Sequence, residues 1–321
     1  MKKNVIIGLV LVIVAISAIF LLVSGLNGNN LNINANAARD PVSTLSSERS
    51  GMVGISHEIQ LNTSLPDFPE KLMVYKTLKP DTSRDAIIAF AKKFGLTGEI
   101  NEGDTAISIG TDDEGATISK ISGSKEFSNQ TRLTTDDGID MPDNLPSDDQ
   151  AIKIATTFLQ DRDLYPTGMI LGGAHHQKSI SVDDQGRDST HFEMIYVWFD
   201  RTLNGLDVEG SQTEVGIGGH GDVINYFANW RNYEPYKKLA LKSPEQALIE
   251  LKGQGVGSGM REPGNVVIEK VYLAYYTKVA LETENYLEPV YVFKGHSDGG
   301  KVDEMIPALK EVPAELGVLK S

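Results

Sequence analysis

The sequence predicts an α+β chain in which an N-terminal transmembrane helix precedes repeated units of one helix plus antiparallel sheet. Three observations carry that expectation. Residues Val5 to Val23 are uncharged and mostly aliphatic, directly after Lys2 and Lys3. Three helix starts of similar form, TSRDAI from Thr82, SDDQAI from Ser147 and SPEQAL from Ser243, each stand ahead of β-rich runs. Those runs come in hairpin groups rather than singly between helices, which argues against a parallel βαβ order.

The nineteen residues from Val5 to Val23 approach the roughly 20 that a helix needs to cross a hydrocarbon core. The two lysines place the N-terminus in the cytoplasm and everything after Ser24 outside. A cleaved signal peptide is the alternative, with Ala35-Asn36-Ala37 as a small-residue site. The apolar run is longer than a signal core, and that site lies well beyond its end, so an uncleaved anchor at residues 1–24, partnering the membrane through 5–23, is favoured.

Residues 25–50 are rich in Asn, Ala, Gly and Ser without periodicity and read as a flexible linker. The remaining expected divisions are an N-terminal α+β unit at 51–132, an acidic linker at 133–149, a central unit at 150–240 and a C-terminal unit at 241–321. At 321 residues, with 40% hydrophobic and 23% charged, the chain is long enough for several cores. A net charge of −14 opposes binding to nucleic acid, a polyanion that rewards clustered Lys and Arg. No cysteine is present, so disulfides, thiolate metal sites and cysteine nucleophiles are excluded.

The first strand is expected at Leu72 to Tyr75. Thr82 reads as the N-cap of a helix with Ile87, Phe90, Ala91 and Phe94 inward, ended by Gly95. Thr105 to Ile109 and Ala116 to Ile121 follow as strands. Ser147 with Gln150, and Ser243 with Pro244 and Gln246, have capping-box form and open the second and third helices. Gly168 to Gly173 reads as a loop, and Val266 to Thr277, Glu288 to Lys294 and Met305 to Leu309 as strands.

The stretch Met194 to Tyr236 reads as a three-stranded antiparallel meander. Tyr196 to Phe199 is apolar on both faces. Asn204-Gly205 is the hairpin signal of a type I′ turn, Thr213 to Ile217 the alternating return strand, and Val223 to Trp230 the third. His220 falls in the second turn.

Catalytic patterns are missing. There is no G-x-S-x-G elbow and no phosphate-cradling G-x-x-x-x-G-K-[ST] loop. The run GQGVGSG from Gly253 follows a helix and opens none, so its amides are not aimed at a pyrophosphate. None of His57, His175, His176, His191, His220 and His296 has metal-ligand spacing, and Asp136 to Asp140 does not match a calcium loop. The expectation is therefore no enzyme, no cofactor and no metal.

The run Phe199-Asp200-Arg201-x-Leu203-Asn204-Gly205-Leu206-x-Val208-x-Gly210, with the later Gly221-Asp222-Val223 turn, resembles the PepSY-type module of thermolysin-family propeptides and related extracytoplasmic domains. LPDFPEKLMVYK from Leu65, KFGLTGE from Lys93 and the strand Tyr286 to Phe293 make most of Leu65 to Val312 similar to YycH/YycI-type regulators of cell-envelope signalling. The resemblance implies a single-pass membrane protein whose external domain binds and restrains an envelope protein without catalysis. Its alternative implication is an inhibitor or chaperone of an extracellular protease. Trp198, Trp230, Tyr233 and Tyr236 are the candidate partner-binding residues, because aromatic groups dominate interface energetics; packing within the fold is their other use.

Overall fold

The computed structural model describes residues 58–65, 67–111, 113–129, 131, 145–182, 188–256, 264–297, 300–313 and 316, with backbone alone over 178–182 and 188–193. Residues 1–57, and with them the expected span at 5–23 and the linker at 25–50, lie outside the described residues, as does the aspartate run at 136–140. Among the described residues no helix is long and apolar enough to cross a membrane.

Contacts divide the chain into two units built from non-contiguous segments. The described part of the first falls in Pro80–Arg201 and Gln212–Trp230; that of the second falls in Arg39–Lys79, Thr202–Ser211 and Arg231–Ser321. The described residues do not form the expected series of helix-plus-sheet repeats, and no transmembrane helix stands among them. Fifteen strands and three helices dominate the described residues. A repeat requires each helix to cover its own following strands, whereas the first two helices here enter a single core on one sheet.

That sheet has eight antiparallel strands in the order β7-β8-β10-β11-β6-β5-β4-β3. They are β3 (Ile100–Glu102), β4 (Ala106–Gly110), β5 (Glu114–Ser119), β6 (Lys125–Asn129), β7 (Met169–Val182), β8 (Asp188–Leu203), β10 (Gln212–Ile217) and β11 (Val223–Asn229). Helices α1 (Arg84–Lys92) and α2 (Asp148–Asp161) cover one face. Period-two alternation sends Ile107, Ile118, Phe127, Val197, Val215 and Tyr226 toward them, where they meet Phe90 of α1 and Phe158 of α2. The Phe94 ring bridges the layers, stacked on Phe127 at 4.2 Å.

Helix ends follow local chemistry. Ser147 and Ser243 each complete a capping box, with Gln150 and Gln246 returning the bond. The cap of α1 is Ser83, not Thr82: its hydroxyl accepts from Ala86 N, while its own N–H donates to Asp81 at 3.0 Å.

The meander exists as the adjacent strands β8, β10 and β11, but its first connection is not a sharp turn. Asn204 (φ 51°) and Gly205 (φ 83°) turn β8 instead into a short extra strand, β9 (Leu206–Glu209). The chain then returns so that Val215 faces Val197. Gly168 to Gly173 is not a loop, since β7 begins at Met169. Gly172 and Gly173 lie under the Trp198 indole, where any Cβ would collide with the ring.

In the second unit the strand order is β12-β2-β14-β13-β9, with β15 on β14 and β1 on β13. These are β1 (Glu58–Leu61), β2 (Lys71–Thr77), β12 (Tyr233–Ala240), β13 (Asn265–Tyr276), β14 (Tyr286–Ser297) and β15 (Gly300–Pro307). The sheet is mixed, because β1 and β9 both run parallel to β13. Helix α3 (Pro244–Gln254) sets Ala247 and Leu251 against Val74, Ile268, Phe293 and Ile306. A buried ionic knot fixes the β13–β14 connection. Arg231 donates to the carbonyls of Lys278, Val279 and Glu282, and Glu284 accepts from Thr77, Thr277 and the Lys278 N–H.

Candidate functional site

The four candidate aromatics divide between the two units. Trp230 points to the helix-covered side of the first sheet, where Arg201 lies 4.5 Å from its ring centroid. Trp198 sits on the other face, 5.5 Å from the His175 ring. Tyr233 is half-buried in the second unit and donates to Thr277 Oγ1 at 2.8 Å. Three of the four therefore serve packing. Tyr236 differs: it is 38% exposed on β12 and lies 5.1 Å from the ring of Tyr286.

Strand β12 stands at the end of its sheet, pairs with β2 on one side and exposes most of its residues. An open edge invites a further strand, yet Pro235, the bulge between Pro235 and Lys237, and the exposed Lys237 and Lys238 block regular pairing. Contact at this edge is thus left to side chains. The Tyr236–Tyr286 pair is flanked along β12 by the exposed Lys237 and Lys238 on one side and on the other by Glu234, which pairs with Lys76 at 3.6 Å. Tyr286 is absent from the sequence-derived candidates. It closes on Tyr236 only because β2 pairs with both β12 and β14.

The face of the first sheet that no described helix covers holds a second constellation, invisible to motif reading. Across the strands run Thr117, Glu126, Phe227, Glu214 and Trp198, each opposite the next in register. Beside it, the Asn225 amide crosses Gly216 and donates to the Tyr196 hydroxyl at 3.1 Å, and His175 stacks on Tyr196 at 5.4 Å. Glu126 is 7% exposed, and its Oε2 has no hydrogen-bond partner. Burial pushes its carboxyl up to about 8. Lys125 cannot neutralise it, because it projects through the opposite face toward Phe90, where burial lowers its own affinity for a proton.

His175 and His176, adjacent on β7, point to opposite faces. His175 joins Tyr196, and His176 Nε2 lies 2.8 Å from Asp148 Oδ1. Among the described residues no three His, Asp or Glu side chains converge as a metal site. A shallow cleft of about 350 Å³ lies between Leu145, Lys153, Ile154 and His220. The capping box already satisfies the adjacent end of α2, and Asp148 and Asp149 in its first turn repel an anion. On the second unit's sheet Tyr272 donates to Glu209 at 2.7 Å and Lys294 pairs with Asp303 at 3.2 Å. Burial and the Glu209 charge raise the Tyr272 phenol above its ordinary range.

No family model matches the chain, and no curated protein does. A solved structure of an uncharacterized protein from Eubacterium rectale is similar over 80% of this chain and 90% of its own, at 10% identity and a TM-score of 0.44. That likeness carries no argument about either fold or function.

Proposed function

We propose that this chain is a noncatalytic regulatory or interaction protein that holds a protein partner in the cell envelope. The observation that carries this reading is the exposed Tyr236, backed by the half-buried Tyr286, on an edge strand whose proline and lysines deter strand addition. Aromatic side chains bury much surface at small entropic cost, and the flanking Lys237 and Lys238 suit an acidic partner surface. The envelope setting is supported by the resemblance to YycH/YycI-type regulators from Leu65 to Val312.

The test is site-specific photo-crosslinking in intact cells. A benzoylphenylalanine at Tyr236 should give one discrete protein adduct. The same group at Ile249, 68% exposed on α3, should not. No adduct from position 236 under several growth conditions, or identical adducts from both positions, contradicts the proposal. Capture of an extracellular protease at position 236 would favour an inhibitor or chaperone.

A further inference from the structure

We propose that the face of the first sheet that no described helix covers binds a small organic cation, an ammonium or guanidinium group, at Glu126. The carboxyl is more than nine-tenths buried with one oxygen unpartnered, and such a group demands a counter-charge or donor.

Among the described residues no cation faces it, and none of the donors on its face bonds that oxygen. From β5 the same face carries Gly115, Thr117 and Ser119; from β11 it carries Asn225, Phe227 and Asn229. Ser128 is its neighbour on β6, and the nearest titratable group along the row is Glu214 of β10, a second carboxylate on the far side of Phe227. Gln212 donates to Glu214. Among the described residues no cation opposes the desolvation of Glu126.

A ring between two carboxylates is suited to an organic cation, which gains from the aromatic face as well as from the charge. A metal ion is disfavoured, because calcium requires six to eight oxygens and no cluster of three ligating side chains exists among the described residues. Phe227 and Ser128 keep part of their surface in solvent, which gives a small solute a route to the row. Arrival of the cation ionises Glu126, and the carboxyl proton leaves to solvent.

Isothermal calorimetry with agmatine as probe tests this, using the whole protein between pH 6 and 9. One-to-one binding is expected, with affinity rising about tenfold per pH unit up to about pH 8 and levelling above it. Glu126→Gln should weaken it at least tenfold and abolish the pH dependence. Tyr236→Ala, in the other unit, should leave it unchanged, so failure here is separable from failure of the partner proposal. Absence of saturable heat, affinity in wild type that is flat with pH, binding retained by Glu126→Gln, or saturation by calcium chloride in place of agmatine overturns the inference.

Discussion

Glu126 is a buried carboxyl with one oxygen unpartnered among the described residues, and its titration gives a direct reading. Its folded pKa of about 8 exceeds the ordinary value of 4.5. Folding therefore takes up a proton between those values, and stability falls as pH rises through that window, levelling above about pH 8. Glu126→Gln removes the penalty. Its advantage over wild type should be small near pH 4.5 and grow to a few kcal/mol by pH 8 to 9, measured by denaturant unfolding across pH. An advantage independent of pH would show that the carboxyl is not desolvated as described. Gly172 offers a second residue-scale test. Gly172→Ala should displace the Trp198 indole, cost about 1–3 kcal/mol and shift tryptophan emission in a Trp230→Phe background. In the sequence both residues look ordinary. Glu126 lies within Lys125-Glu126-Phe127, and alternation places it opposite Phe127 without revealing that this second face is buried. Gly172 reads as loop because two adjacent glycines favour turns, and the need for them comes from a tryptophan 26 positions later.

At the scale of elements, local signals were legible where the chemistry is local. The capping boxes at Ser147 and Ser243 place α2 and α3 to the residue, since the serine and its glutamine close the same few bonds wherever the helix packs. Ser147→Ala and Ser243→Ala should each cost about 1 kcal/mol of stability by thermal unfolding. The start of α1 is shifted by one because Thr82 and Ser83 are both competent caps, and Asp81 selects Ser83. Strand β12 was missed because Pro235, Lys237 and Lys238 dilute its strand composition; an edge accepts all three. Strand β9 interrupts the meander for a non-local reason, its parallel pairing with β13 at Val208 and Glu209. The β13–β14 connection depends on the Arg231–Glu284 knot, with side chains at 2% and 1% exposure. Glu284→Ala should destabilise by about 3–5 kcal/mol, and adding Arg231→Met should recover part of that loss, because the second change removes the stranded charge. Strict additivity would contradict the coupling.

For the whole molecule, the strands were mostly legible but their assembly was not. Similar helix starts suggested a repeat, yet Phe90 and Phe158 belong to a single core, and only tertiary pairing decides which sheet a helix covers. The meander stretch from Met194 to Tyr236 contains both tryptophans. Trp198 has become one end of a polar row and Trp230 the platform for Arg201, while the exposed candidate is Tyr236. The proposed function therefore rests on a small aromatic patch at Tyr236, whose contribution to binding separates from its contribution to folding. The most direct measurement compares partner capture by wild-type protein and Tyr236→Ala, using as bait the protein crosslinked at position 236. The account predicts at least a tenfold loss of affinity with an unchanged unfolding temperature. Equal affinity in the two proteins would contradict it.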